Sequence, residues 1–488
     1  MDRIPVELAC SIFRLAVLQD VENESVITVA EVSEGRQWPG IFDYEKGPWA
    51  ISRVCRKWRT ICMSFPSLWC RFILSADRIQ PGRHGEQELR TWLSFSGTSS
   101  LSFLIKTDGI CNNPHNLELF RILADHSDRW EAIEVINATA EFWTMMHRHD
   151  VKSRLQALRH VTILSEGSSR GYVSDDEPYS SDCYNVFMKA PRFHSLTNRD
   201  YFPVSHLEMP WSQLTAFDGS ERTHYSDLFE VLHRSPNLVT SRVEVASYAA
   251  YSLDISVRNL FSQISLNRLR ILRIHLTSSI YATAVWKDVH TLIGHLDMPS
   301  LETLSIRCDY PSVCPPYTEL AAVLRSSGCK LRDLELSSTS ARPSDIIDLL
   351  SATPSLQRLS MTIDASDGSR VTQHTVISHL NVHSSGADYD SALVPSLNTL
   401  EFSLPSPLAV IELDLPSLAA GIRSRWADPP NPGCSIRTLV ISLDSGDEDV
   451  SSRMTVSLPE GLPPILEVLQ DEGLDVVIQR IGPPGLYT

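Results

Sequence analysis

Apolar residues recur along this chain in two rhythms. The first is helical. Leu8, Ile12, Leu15 and Ala16 fall at steps of four, three and one, one face of a helix led in by Pro5 and Glu7. Ile51, Val54, Cys55, Trp58, Ile61, Cys62 and Phe65 recur at steps of three, one, three, three, one and three, with Arg53, Arg56, Lys57 and Arg59 opposite. That stripe predicts a second helix, stopped by Pro66. Pro66-Ser67-Leu68-Trp69 then turns the chain into a short apolar segment, Phe72 to Leu74. Between the two helices, residues 19 to 47 carry seven acidic residues against two basic ones, with Gly35, Pro39, Gly40 and Gly47. This composition predicts an exposed insertion.

The second rhythm is a short Leu-x-x-Leu-x-Leu phrase. It occurs at Leu269-Leu272-Ile274, Leu301-Leu304-Ile306, Leu331-Leu334-Leu336, Leu356-Leu359-Met361, Leu397-Leu400-Phe402 and Ile436-Leu439-Ile441. First positions are separated by 32, 30, 25, 41 and 39 residues, and Leu238 adds a looser member 31 residues earlier. Segments such as Tyr317 to Ser326 and Pro343 to Ala352 lie between the phrases with helical spacing, so each unit reads as a helix followed by a strand. One such unit cannot bury its own apolar face, and neighbours must stack. Trp130-Ile133-Val135, Leu158-Val161-Ile163, Phe193-Leu196 and Leu214-Phe217 extend the array towards residue 90, and Leu462 to Ile478 reads as a capping helix and strand. Polar, acidic stretches at 165–185, 364–374, 383–392 and 444–452 read as loops.

Ile4-Pro5-Val6-Glu7-Leu8, Ile12-Phe13, Val54-Cys55-Arg56-Lys57-Trp58-Arg59 and Pro66-Ser67-Leu68-Trp69, in that order, resemble an F-box. The acidic insertion is similar to the variant common in mushroom-type fungal F-box proteins, and the body resembles a degenerate leucine-rich-repeat array. The resemblance implies an α/β architecture: a short helical F-box at 1–74, a linker at 75–89, and an irregular leucine-rich-repeat-like solenoid with parallel strands at 90–488. It further implies a Skp-type adaptor as partner, and through it a cullin-RING ubiquitin ligase whose substrate-recognition subunit this chain would be. Ile4, Pro5, Leu8, Ile12, Val54, Cys55, Trp58, Pro66, Leu68 and Trp69 are then the candidate adaptor contacts, although each could face the module's own interior instead. The alternative is a repeat scaffold that binds protein outside any ligase. The target protein is left open.

Composition narrows the classes further. At 488 residues the chain exceeds one ordinary core, and 42% hydrophobic with 21% charged residues is the balance of a folded protein. A net charge of −16 lacks the basic field that nucleic acid requires. Ten cysteines without a Cys-x-x-Cys pair read as buried apolar thiols in a reducing compartment. Glu7 and Arg14 interrupt the first apolar stretch, no run is long enough to span a bilayer, and a cytoplasmic or nuclear protein without membrane contact is expected. No phosphate loop, dinucleotide turn, zinc-protease helix or nucleophile elbow occurs. His147 with His149, and His379 with His383, have no nearby ligand partner, and Asp175-Asp176-Glu177 lacks the remainder of a calcium loop. Neither a catalytic residue, a cofactor nor a metal is expected.

Overall fold

The computed structural model describes residues 5–17, 38–75, 85–107, 117–164, 185–199, 204, 207–219, 225–246, 263–277, 290–308, 317–337, 342–362, 367–380, 393–404, 415–426, 436–444 and 464–481. They divide into two compact units, one within Met1–Thr223 and one within His224–Leu486. Both are mixed α/β with parallel strands.

The first unit opens with three helices, α1 (Val6–Val17), α2 (Gly47–Val54) and α3 (Arg56–Met63). The helix expected from 51 to 65 is therefore two. Cys55 breaks it in an extended conformation, φ −160° and ψ 171°, and its Sγ caps α3 by accepting the Trp58 backbone N–H at 3.4 Å. A 3-10 turn over Pro66–Trp69 leads into β1 (Arg71–Leu74). Then follow α4 (Gly85–Phe95), β2 (Leu101–Lys106), α5 (Leu117–Ala124), β3 (Trp130–Ile136), α6 (Ala140–Arg148), β4 (His160–Leu164), β5 (Ser195–Arg199) and β6 (Ala216–Gly219). β1 to β6 pair in chain order, all parallel. The sheet thus begins at residue 71, and the boundary expected at 74 falls inside one unit because β1 is its edge strand.

The second unit holds α7 (Tyr225–Arg234), β7 (Thr240–Ala246), β8 (Ile264–Ser265), β9 (Ile271–Thr277), β10 (Leu296–Asp297), β11 (Thr303–Cys308), α8 (Tyr317–Ser327), β12 (Asp333–Ser337), α9 (Pro343–Ser351), β13 (Arg358–Thr362), α10 (Asp367–Leu380), β14 (Thr399–Leu404), α11 (Leu415–Trp426), β15 (Thr438–Asp444), α12 (Pro464–Asp471) and β16 (Asp475–Ile481). Its parallel sheet runs β7-β9-β11-β12-β13-β14-β15-β16, and β8 pairs with β10 apart from it. Every leucine-phrase residue named above for this unit is buried, each worth about 1.5–3 kcal/mol. The strands start two residues after the first leucine, since that leucine closes a tight turn. Leu238 N–H donates to Ser235 O, and the same bond recurs at Leu269, Leu301, Leu356 and Leu397. Proline follows the turn's first residue at Pro236, Pro299, Pro354 and Pro395, where its fixed φ suits the turn.

One backbone device then locks each repeat to the next. The residue after the leucine offers a carbonyl that accepts two N–H groups from the following repeat. Arg270 O takes Glu302 and Thr303, Glu302 O takes Arg332 and Asp333, and Arg332 O takes Gln357 and Arg358, all between 2.8 and 3.0 Å. The first unit repeats it, with Arg159 O accepting from His194 and Ser195.

The stretch expected as a loop at 364–374 carries much of α10 instead. Val376, Ile377 and Leu380 are buried and anchor it, outweighing its polar first turns. The expected loops at 165–185, 383–392 and 444–452 lie outside the described residues, apart from Asn185 and from Asp444 at the end of β15.

Candidate protein-docking surface

Helix α1 has two apolar faces but uses one. Ala9, Phe13 and Val17 are buried, and the Phe13 ring lies 4.9 Å from that of Trp58 on α3. On the other face Leu8, Ile12 and Leu15 are 57%, 51% and 68% exposed, and Ala16 is exposed as well. Val6 is also exposed, as are Val54 at the end of α2 and Met63 at the end of α3. Of the ten large apolar side chains exposed among the described residues, six belong to these three helices. A helix apolar on both sides is normally covered on both, and an apolar concentration of this kind marks an interaction surface.

The second and third helices also carry exposed positive charge. Arg53, Arg56, Lys57 and Arg59 are exposed along α2 and α3, with no acidic residue between Gly47 and Phe65. Two are held in place: Arg53 stacks over the Tyr44 ring at 5.1 Å, and Arg59 Nε donates to Ser52 O at 3.0 Å.

The expected contacts therefore sort into groups. Pro5, Leu8, Ile12, Val54 and Cys55 are exposed, and Trp58 and Pro66 are half-buried. Ile4 lies outside the described residues. Leu68 and Trp69 have no exposed surface and leave the set of contacts, because they form the unit's own core. Trp69 Nε1 donates to Cys62 O at 2.9 Å, and its ring lies 4.9 Å from both Trp49 and Trp92. Trp92, on α4, returns an Nε1–H to Trp69 O at 2.8 Å. The helices and the first strands thus share one aromatic core.

The insertion contributes as well, which its acidity concealed. Trp38, Ile41 and Phe42 are buried, correcting the expectation of an exposed segment for its last part. Ile73 N–H donates to Pro39 O at 3.0 Å and Ile41 N–H to Ile73 O at 3.1 Å, so the segment lines the β1 edge. Trp38 covers Leu104, Ile136 and Leu164, with Ile73 alongside. The sequence signal was present in Trp38-Pro39-Gly40-Ile41-Phe42, an apolar phrase inside an acidic stretch.

The thiols divide similarly. Burial first, then the neighbouring Cys10, pushes Cys62 up to about 12, whereas Cys55 is exposed. The expectation that all thiols are buried fails at Cys55, because its cap position stands at the helix break. Among the described residues, no cluster of His, Cys, Asp and Glu could hold a metal ion, and no helix is long and apolar enough to cross a membrane.

Fold and surface define a class: a parallel α/β repeat protein whose N-terminal helices carry exposed apolar residues and exposed basic ones. No protein-family model matches the sequence, and no curated protein matches it.

Proposed function

We propose that the chain is the substrate receptor of a Skp–cullin–F-box ubiquitin ligase. The N-terminal helices dock a Skp-type adaptor, the leucine-rich-repeat-like body binds the target protein, and the other subunits supply the transfer chemistry. The observation that carries this reading is the uncovered face of α1, Leu8, Ile12 and Leu15, in the segment whose motif order resembles an F-box. The exposed Arg53, Arg56, Lys57 and Arg59 favour an adaptor with an acidic rim. A receptor of this kind works by holding a target near the transfer site, so the aromatic core joining helices to sheet serves position rather than chemistry.

The test is capture of the chain by a purified fungal Skp-type adaptor. Wild type is expected to be captured, and the Leu8→Asp/Ile12→Asp pair to lose capture by at least tenfold, since each places an unpaired charge in the interface. Both positions are exposed in the free chain, so its melting temperature should hold. Adaptor binding should also shield Cys55 from alkylation. If wild type is not captured, or the pair is captured equally, the F-box reading fails and a ligase-independent scaffold replaces it.

A further inference from the structure

The outward sheet faces of the two units differ in chemistry. In the first, Leu104, Ile136 and Leu164 lie under Trp38, and that stretch is occupied by the chain itself. In the second, the same face is polar. Arg242 of β7 stands directly opposite Arg273 of β9, and the row continues through Ser305 of β11 to Glu335 of β12. The adjacent row runs Glu244, His275, Arg307.

Neutralisation along these rows is uneven. Glu335 accepts from Arg307 Nε at 2.7 Å and from Ser305 Oγ at 2.7 Å. Glu244 Oε1 lies 3.3 Å from both Arg242 Nη2 and His275 Nδ1. Arg273 is exposed and forms no ion pair among the described residues; it feels Glu335, two strands across, at longer range. Like charges directly opposite on neighbouring strands repel. Arg242 already has Glu244 beside it, so the positive charge left for an added anion on this row is that of Arg273. Beyond it the balance reverses, with Asp333, Glu335 and Glu401 against Arg358 on β12 to β14. The face is therefore polarised along the strand order.

We propose that β7, β9 and β11 hold a carboxylate-rich segment of the target protein, with Arg273 as its main contact and Arg242 and Arg307 beside it. This deepens the receptor reading by naming the chemistry of the target. Complementary charge selects the occupant here, in a chain whose net charge of −16 otherwise repels acidic partners.

The experiment is fluorescence anisotropy of a fluorescein-labelled hexaglutamate peptide titrated with the full chain at low salt. Saturable binding is expected, weakening as salt rises, with hexalysine inactive at this face. Arg273→Glu should weaken hexaglutamate binding at least tenfold. Lys330→Glu, an identical charge change at an exposed residue between α8 and β12, should stay within about twofold, because it lies outside these strands. Should Arg273→Glu fold poorly, Arg273→Gln must still show a clear loss. The proposal is overturned if wild type does not bind, if Arg273→Glu binds as wild type does, or if Lys330→Glu loses as much. Adaptor capture is measured on the same Arg273→Glu sample. Capture retained while peptide binding is absent in wild type removes this inference and leaves the receptor reading standing.

Discussion

At the scale of single residues, the backbone decides more than the side-chain pattern does. Gly47 holds φ +58°, and a Cβ added there would stand 2.3 Å from Pro39 Cβ. A left-handed residue that is not glycine already costs about 1 kcal/mol or more. The overlap would also push away the segment that carries Trp38 and Ile41. Gly47→Ala should lower the unfolding free energy by about 2–4 kcal/mol in urea denaturation. Gly294→Ala, with nothing within 4 Å of the new Cβ, should stay within about 1 kcal/mol of wild type. The sequence displays Gly47 and Pro39 as breakers but not their contact, which exists only once the insertion has closed on the helices. Cys55 teaches the same lesson. The apolar stripe runs through it without a gap, so periodicity describes one helix where an extended residue makes two.

Single elements were the most legible. The leucine phrases located the strands to within two residues, because an apolar residue at every second position is what a strand buried on one face requires. α8 and α9 follow their predicted ends to within one residue. α10 was hidden by polar residues at its start, and only contacts from neighbouring helices, α9 and α11, favour it. The strands also carry a pH dependence. Burial by itself raises the Glu335 carboxyl, but Arg307, the Ser305 hydroxyl and Arg273 outweigh it and hold the group below its ordinary value. A depressed carboxyl stabilises the fold above its unfolded pKa, about 4.3 for a glutamate, and that stability disappears as pH falls through the lower folded value. The difference in unfolding free energy between wild type and Glu335→Gln should therefore be full near neutrality and shrink below about pH 4, measured by urea titration at each pH.

At the scale of the molecule, the first unit joins its N-terminal helices to its sheet through one aromatic core. Motif and body look separable in the chain, with a linker expected at 75–89, yet Trp49 and Trp69 pack on Trp92 of α4. Tryptophans distant in sequence leave no periodic trace of meeting in space. A chain begun at residue 90 would lose β1 and the cover of Trp92. It should bind a hydrophobic dye and lose the cooperative melting of this unit, and point variants on α1 are therefore the sound way to separate docking from folding. Sequence likewise marked the apolar face of α1 but could not say that it would be left uncovered, since burial depends on partners from elsewhere in the chain. The doubly accepting carbonyl at each turn has a longer reach. It sets the register between neighbouring repeats at a single point, independent of how many residues separate one leucine phrase from the next, and those intervals vary from 25 to 41 residues. Insertions and deletions between phrases can then accumulate over generations without sliding one strand against another, so such a lineage is free to change what its connecting segments say while the alphabet on the sheet stays in line.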